Sequence, residues 1–282
     1  MDSAPVDNAM DAALRFNRPV IWNGRPIRSW AAFHSIVKQP DRPLLATLDD
    51  YRDPILVAGC QRSGTTALAR LLKRAEGMVD HAFGHDDELD GALLLAGYAT
   101  RSTEGRHCLQ TTYLNDRFGE YFEHRNFRLI WMLREPRSVV YSMLNNWKRG
   151  ALNRLFDACG AEVLAQVDST SSLRTAWLGP SRLAKACSSY VAKTAQTLEL
   201  CARLGPRIAV VDYDELVANK ESLLPKLCEF VGLPYEARLG DALHARSVDK
   251  RDQLGPTDSD YVDRFCSAVY GRALEMRTIG AA

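Results

Sequence analysis

The sequence predicts an α/β fold, in which a parallel sheet carrying a phosphate-binding loop (P-loop) is flanked by helices on both faces. Three short apolar segments with the character of buried strands recur along the chain, at residues 54–60, 127–133 and 207–213. Segments with helical periodicity or helix-capping residues follow them. Strands that alternate with helices are typical of a parallel sheet covered on both sides.

The length and composition fit one folded domain with additional segments. The chain has 282 residues, of which 46% are hydrophobic, enough to bury one sizeable core. We assign residues 1–50 to an N-terminal extension and residues 51–282 to the main domain. Residues 150–180 are richer in Ser, Thr and Gly and poor in periodicity, so we expect them to form an inserted cap or lid.

The charge balance bears on the kinds of partner. The 36 Lys and Arg residues face 35 Asp and Glu residues, for a net charge of +1. A general affinity for nucleic acid or for an acidic membrane requires a surplus of basic residues. We therefore expect no nucleic acid partner, and without a run of about 18 apolar residues we expect no membrane insertion. A small basic pocket for one polyanionic ligand remains compatible with this balance.

The cysteines indicate a reducing compartment. The chain has seven, scattered singly and without a C-x-x-C pair, and the odd number argues against a disulfide framework. The first twenty residues lack the apolar core of a secretion signal. The sequence thus predicts a cytoplasmic protein.

The first predicted strand leads into a loop with an unusual charge pattern. Residues 59–66 (GCQRSGTT) have a G-x-x-x-x-G frame between a strand and a helix, which forms a nest of backbone N–H groups facing a helix N-terminus. A nucleotide triphosphatase would have Lys after the second glycine, but this chain has Thr65 there. Arg62 supplies the positive charge from inside the loop. The loop therefore suits a diphosphate-like group with a sulfuryl terminus, which needs no metal ion to offset its charge.

The second predicted strand, residues 127–133, ends in a candidate phosphate ligand. Arg134 follows it directly, at the sheet edge where ligands bind in open α/β folds. The planar guanidinium suits a phosphate group. Pro136 marks the start of a helix, and Ser142 lies in its second turn on the same face as Ser138. Alternatively, Arg134 pairs with a nearby carboxylate and Ser142 is solvated.

The third predicted strand, residues 207–213, follows a long helix at about residues 181–204. A capped helix over residues 221–230 comes after it and ends at Gly232.

These segments resemble three motifs of the sulfotransferase family that uses 3′-phosphoadenosine-5′-phosphosulfate (PAPS). Residues 62–66 (RSGTT) are similar to the 5′-phosphosulfate loop, in the form found in membrane-associated and many bacterial members. Arg134 and Ser142 are similar to the family's pair of 3′-phosphate ligands, and residues 211–216 (VDYDEL) to its Y-E-D-L strand end. The resemblance covers about residues 54–240. It implies PAPS as donor, 3′,5′-ADP as spent product, no metal ion, and transfer of a sulfuryl group to an acceptor hydroxyl.

The resemblance also implies roles for single residues. Donor-binding residues are expected in both motifs, in the third strand end and near the C-terminus: Arg62, Ser63, Gly64, Thr65, Thr66, Ala67, Arg134, Ser142, Tyr213 and Lys250. Arg62 is also expected to stabilise the leaving oxygen. The family takes its catalytic base, a Glu or His, from the segment after the loop helix, where this chain has His85, Asp86 and Glu88. The choice among these three stays open, because alignment on Gly84 favours His85 or Asp86, whereas residue type favours Glu88 or His85. Asp86 equally suits a helix N-cap.

Two departures from the family pattern stand out. Many members have a K-T-P motif before the strand that ends in the 3′-phosphate arginine, but residues 109–112 read LQTT, so that lysine is absent. The C-terminal G-x-x-G-x-W-K loop of the animal cytosolic enzymes is missing as well. Residues 247–256 are expected to replace it, with Lys250 or Arg251 closing over the donor.

Two other readings remain at this stage. A P-loop kinase of a small metabolite would have to explain Thr65, and a non-catalytic nucleotide-binding relative would bind 3′,5′-ADP without transferring sulfate. The acceptor is open among a small organic alcohol, a lipid-like hydroxyl, a saccharide and a tyrosine, and the oligomeric state is not indicated. Residues 85–105 and 150–180 are expected to wall the acceptor pocket, with four aromatic residues: Tyr98, Trp147, Phe156 and Trp177.

Overall fold

A computed structural model describes residues 20–79, 81, 86–99, 104–168, 179–243 and 250–280. Within these ranges, five parallel strands form one sheet in the order β4-β5-β3-β6-β7, and β1 and β2 form a separate antiparallel hairpin. The strands are β1 (Val20–Trp22), β2 (Arg25–Ile27), β3 (Ile55–Gly59), β4 (Met78–Val79), β5 (Arg106–Gln110), β6 (Arg128–Leu133) and β7 (Ile208–Asp212). The predicted α/β class and its parallel sheet are confirmed.

The helices cover both faces of this sheet. They are α1 (Trp30–Ile36), α2 (Thr65–Leu72), α3 (Asp87–Leu95), α4 (Pro136–Asn145), α5 (Arg149–Leu155), α6 (Ala161–Asp168), α7 (Arg182–Leu204), α8 (Tyr213–Ala218), α9 (Lys220–Val231) and α10 (Pro256–Glu275). No described helix combines the length and the apolar character that crossing a membrane requires.

The three predicted strands correspond to β3, which is the central strand of the sheet, and to β6 and β7, which lie on one side of it. Every residue of β3 and β7 is buried, because helices pack on both faces. The sequence did not predict β4 or β5. The first is only two residues long, and the second begins with Arg106 and His107, which interrupt the apolar run typical of a buried strand.

Alternating strand residues feed two cores on opposite sides of the sheet. Leu56 of β3 and Trp131 of β6 point into one core, and Val57 and Met132 point into the other. Such alternation follows from the two-residue repeat of a strand. A third cluster lies where α4, α7 and α10 pack together.

Residues 20–50, part of the predicted N-terminal extension, share the core of the main domain. Phe33 of α1 and Leu45 are fully buried in the first core. The carboxylate of Glu120 accepts hydrogen bonds from the backbone N–H groups of Leu44 (2.6 Å) and Leu45 (2.9 Å). These contacts fix the segment after α1 against the chain that follows β5.

The described part of the predicted cap is helical. A π-helical turn (Phe156–Gly160) joins α5 to α6, and both this turn and α6 pack against α7. Gly160 permits this close packing, since a Cβ atom there would lie 2.9 Å from the backbone nitrogen of Ser189. Residues 169–178, including Trp177, lie outside the described residues.

Candidate active site

The loop after β3 has a backbone that requires its two glycines. Gly59 has φ +136°, and an added Cβ would lie 2.3 Å from the carbonyl oxygen of Met132 in the neighbouring strand. Gly64 has φ +89° and is the N-cap of α2, and a Cβ there would lie 2.1 Å from the ring of Tyr213. Arg62 has φ +77°, a left-handed conformation that is uncommon for a residue with a side chain. Such local strain is often found at functional sites.

The loop arginine and the arginine at the end of β6 lie next to each other. Arg62 Nε donates a hydrogen bond to Ser142 Oγ over 3.0 Å, and Arg134 Nη1 donates to the backbone oxygen of Arg62 over 3.3 Å. The residues predicted for the two ends of the donor therefore adjoin. Burial and the neighbouring charge of Arg134 lower the pKa of Arg62.

Lys250 brings a third positive charge to this place. Burial and the charges of Arg134 and Arg62 lower the pKa of Lys250, which identifies both arginines as its neighbours. Arg251, the alternative from the sequence, is exposed and lies 3.7 Å from Asp252. Three cations collected around one loop form a strong anion-binding site.

Arg134 is held from two sides. Its guanidinium carbon lies 4.8 Å from the centre of the Tyr213 ring, and its Nε lies 3.3 Å from Asp214 Oδ1. Asp214 is thus the carboxylate beside Arg134, while Glu135 caps α4 by accepting from the N–H groups of Arg137 and Ser138. Tyr213, itself buried, thus packs between Gly64 and Arg134 and fixes both.

Two buried hydroxyls support binding of a polyanion at this place. Ser63 Oγ and Ser138 Oγ have no hydrogen-bond partner among the described residues, although both side chains are buried. Buried hydroxyls without a partner are costly, and an anionic ligand satisfies them. Thr65, Thr66 and Ala67 follow as the first three residues of α2. Together with the cations, these groups fit a nucleotide with two anionic ends.

A cavity of about 270 Å³ adjoins the loop. Its inner end is lined by the loop and by polar side chains from the sheet and α3: Arg62, Thr65, Thr66, Glu88, Gln110 and Thr112. Its outer end is lined mainly by larger side chains: Trp30, His34, Tyr113, Trp147, Arg154 and Leu155. The inner end is therefore suited to chemistry and the outer end to holding the body of a second substrate.

Glu88 is the carboxylate at the inner end of the cavity. Thr112 Oγ1 donates a hydrogen bond to Glu88 Oε1, and Gln110 Nε2 donates to Glu88 Oε2 over 3.1 Å. Desolvation raises the pKa of Glu88 to about 7, although the hydrogen bond from Thr112 acts in the opposite direction. Gln110 Nε2 also donates to Thr65 Oγ1 over 3.1 Å and so connects Glu88 to the loop.

The two other base candidates differ from Glu88. Asp86 is exposed and is the N-cap of α3, where Oδ1 accepts from the backbone N–H groups of Glu88 and Leu89. Its Oδ2 accepts a hydrogen bond from Trp30 Nε1 over 3.1 Å. Asp86 thus has a structural task. His85 lies outside the described residues.

Lys193 is a residue of this region that the sequence analysis missed. It lies on α7, is fully buried, and donates a long hydrogen bond (3.5 Å) to the backbone oxygen of Thr112. Burial lowers its pKa, and its charge is felt at Glu88. Its spacing from Tyr190 and Thr197 places it on the buried face of α7, a pattern that could have indicated an inward-facing lysine.

The expected walls of the acceptor pocket are partly wrong. Trp147 does line the cavity. Tyr98 instead packs against Trp22, with 4.5 Å between ring centres, because the chain turns away after α3. Phe156 is buried against Leu164 of the cap and Ala184 of α7. Trp30 and His34 of α1 take their place, although they lie far away in the sequence.

The arrangement of sheet, loop, paired arginines and cavity defines a transferase that acts on a nucleotide donor and a second substrate. The sequence model of the sulfotransferase domain matches residues 52–255. The chain belongs to the sulfotransferase family, and it is an enzyme of sulfuryl transfer with PAPS as donor. This assignment disfavours the kinase and the non-catalytic alternatives, in agreement with Thr65 at the position of the P-loop lysine.

Solved structures of sulfotransferases are similar to this chain. Mouse sulfotransferase SULT7A1, complexed with PAP, has 13% identity and a TM-score of 0.49, covering 86% of this chain and 95% of that one. STF9 from Mycobacterium avium has 13% identity and a TM-score of 0.47, covering 96% of this chain and 85% of that one. The sulfotransferase domain of the Synechococcus PCC 7002 olefin synthase has 16% identity and a TM-score of 0.47, covering 80% and 98%. No curated protein sequence matches the chain.

Proposed function

We propose that the enzyme transfers a sulfuryl group from PAPS to the hydroxyl of a small acceptor, with Glu88 as the general base. The observation that carries this proposal is the position of Glu88, in the same cavity as Arg62 and Thr65 and with a pKa raised by desolvation to about 7. A base with a pKa near the working pH accepts a proton most effectively.

The donor residues divide between the two ends of the nucleotide. Residues 62–67 receive the 5′-phosphosulfate, which the nest of N–H groups and the start of α2 favour. Arg134, Ser142 and Lys250 receive the 3′-phosphate. The adjoining positions of Arg62, Ser142 and Arg134 support one nucleotide that bridges both places. Tyr213 contributes by supporting Arg134.

The bound donor supplies an electrophilic sulfuryl group, and the chain supplies positioning and charge. Glu88 takes the proton of the acceptor hydroxyl as the oxygen attacks. Arg62 offsets the charge that develops on the leaving phosphate oxygen. Thr65 and Thr66, at the positive end of α2, assist it. As in phosphoryl transfer, alignment and electrostatics provide most of the rate.

Conservative changes of two carboxylates test the base. Glu88→Gln keeps the shape of the side chain but removes the base, so kcat falls by about 10²–10⁴-fold. Asp86→Asn keeps an oxygen that caps α3, so it retains most activity. Product formation from PAPS and an acceptor panel is measured by mass spectrometry as the gain of one sulfuryl group. Loss of activity in Asp86→Asn with retention in Glu88→Gln would assign the base to Asp86, and His85→Asn tests the remaining candidate.

We also propose that the enzyme works in the cytoplasm. All seven cysteines are free thiols, which supports a reducing compartment. Labelling of the denatured protein from freshly lysed cells is expected to count seven reactive thiols, and a lower number would contradict the proposal.

A further inference from the structure

The outer end of the acceptor cavity combines a cation with a slot of aromatic side chains. Helix α1 contributes Trp30 and His34, and α5, in the predicted cap, contributes Arg154. Helix α1 lies outside the region that the sulfotransferase domain model matches, residues 52–255. Trp30 and His34 therefore come from outside the matched region, whereas Arg154 lies within it.

Three charged residues of the cavity form hydrogen bonds within the protein, and a fourth, Arg154, does not in the described ranges. Glu88 is held by Thr112 and Gln110, Asp86 by Trp30 and the α3 backbone, and Arg62 by Ser142. In the described ranges, by contrast, no residue forms a hydrogen bond or an ion pair with Arg154, whose side chain is exposed. A surface arginine can be merely solvated, but Arg154 lines the cavity in which a substrate must lie.

Asp116, which like Arg154 acts on His34, has a partner of its own. It is paired with Lys38 at 2.5 Å. Burial and the positive charges of Lys38 and Arg154 lower the pKa of His34, although Asp116 acts in the opposite direction. The lowered pKa favours the neutral, hydrogen-bonding form of His34. The charge of Arg154 acts on the pKa of His34, and both residues line the cavity although they come from separate segments.

The size and walls of the cavity restrict the body of the acceptor. A volume of about 270 Å³ lies just below the usual range for ligand pockets, which is roughly 300–1,000 Å³. The rings of Trp30 and Tyr113, with centres 5.7 Å apart, form one wall, and Trp147 and Leu155 lie among the remaining lining residues. Aromatic walls favour a planar, apolar body.

We propose that the acceptor is a small hydroxyl compound with a ring-like apolar body and an anionic group, which Arg154 binds at the outer end of the cavity. This inference rests on the proposed function, because it takes the cavity to be the acceptor site. The guanidinium fork matches a carboxylate, sulfonate or phosphate. Binding the anion at one end directs the hydroxyl of the same molecule toward Glu88 at the other. Arg154 is thus a specificity-determining residue.

Matched acceptor pairs test this inference by binding as well as by turnover. Calorimetry in the presence of saturating 3′,5′-ADP compares 4-hydroxyphenylacetate with its amide, and 3-hydroxybenzoate with its amide. We expect the wild-type enzyme to bind at least one acid about tenfold or more tightly than its amide. Arg154→Gln removes this preference and leaves amide binding unchanged. Arg149→Gln, the same change on the same helix but outside the cavity lining, keeps the preference.

The outcomes separate this inference from the proposed function. Equal affinity for both acids and their amides, absence of binding by all four compounds, or an unchanged preference in Arg154→Gln overturns the inference. Sulfuryl transfer to the amides with equal kcat/KM overturns it too while supporting the sulfotransferase mechanism. Conversely, a preference for an acid that depends on Arg154, without transfer to any acceptor, supports the anion subsite and contradicts the proposed sulfuryl transfer to the hydroxyl of a small acceptor. Phenyl phosphate and benzenesulfonate, as competitors, distinguish among the three anionic groups.

Discussion

The catalytic role proposed for Glu88 comes with a cost in stability. Its pKa rises from 4.5 to about 7 when the chain folds, because the folded protein desolvates its carboxylate. The folded state then binds this proton more tightly than the unfolded state. The contribution of Glu88 to stability therefore falls as the pH rises from about 4.5 to about 7. A carboxylate at position 88 therefore lowers the stability of the folded protein at neutral pH.

This cost predicts that Glu88→Gln stabilises the enzyme while it inactivates it. At pH 8 the free energy of unfolding is expected to rise by up to about 3 kcal/mol, and near pH 4.5 it changes little. Urea unfolding at both pH values measures the difference. The neighbouring Asp87→Asn serves as a control of opposite sign: although burial acts to raise it, the hydrogen bond from Arg70 keeps the pKa of Asp87 below its usual value. An equal effect of Glu88→Gln at both pH values would contradict the raised pKa.

Lys193 is predicted to set the pH range of the reaction. Its positive charge lowers the pKa of Glu88, while the carboxylate of Asp86 raises it. Lys193→Met removes this charge, so the acidic limb of the pH profile of kcat/KM should move to higher pH. Lys193 also interacts with Cys60, Cys159 and Asp116.

A matched variant distinguishes this electrostatic role from a packing role. Lys185→Met makes the same change on the same helix, at a side chain that donates to Asn153 outside the cavity. It should leave the pH profile in place. If Lys193→Met lowers kcat without moving the acidic limb, Lys193 only fills space.

For single residues, the sequence was sufficient to predict proximity where the residues follow strands that are neighbours in the sheet. Arg62 and Arg134 follow adjacent parallel strands, so their proximity could be predicted from the sheet alone. Lys193, Trp30 and His34 reach the cavity through packing of helices far away in the sequence. No local pattern encodes that packing, and the contribution of α1 was therefore not foreseen.

At the element scale, the loop and the start of α8 form one interlocked unit. Gly64, Tyr213 and Arg134 are stacked in contact, so the shape of the loop and the position of the arginine depend on each other. The sequence showed the glycine frame and the strand ends. The contacts of Tyr213 with Gly64 and Arg134 join residues far apart in the chain, and only the structure revealed them. Likewise, the short β4 and the charged start of β5 concealed the other half of the sheet.

Gly64→Ala is predicted to disrupt both ends of the donor site at once. The added methyl group would meet the Tyr213 ring, and alanine is strained at φ +89°. The ring must move, and the support of Arg134 moves with it. Affinity for 3′,5′-ADP, measured by calorimetry, is expected to fall at least tenfold.

Gly255→Ala is the control for this change, since a Cβ at Gly255 meets nothing within 4 Å and its φ of −63° suits alanine. Circular dichroism confirms that both variants are folded. Unchanged affinity in Gly64→Ala would show that the loop and Tyr213 move independently.

For the whole molecule, the proposed donor site predicts that one nucleotide connects three parts of the chain: the loop after β3, the region of Arg134 and α4, and the segment around Lys250. Such a ligand binds only the folded protein and stabilises it in proportion to the logarithm of its concentration. At about 100 times its dissociation constant, 3′,5′-ADP contributes about 2.7 kcal/mol. For a chain of this size the melting temperature should rise by roughly 5–10 °C.

The final prediction tests whether Arg134 holds the 3′-phosphate, by comparing 3′,5′-ADP with 5′-AMP, which lacks that group. In the wild-type enzyme 3′,5′-ADP binds more tightly and raises the melting temperature more at equal concentration. Arg134→Ala removes most of this difference, because the lost charge acts on the missing phosphate. Arg137→Ala, which breaks an ion pair with Asp263 away from the cavity, keeps the difference. These effects should not require Mg²⁺. An equal difference between the two nucleotides in wild type and Arg134→Ala would mean that Arg134 does not hold the 3′-phosphate, and that one nucleotide does not bridge the two arginines.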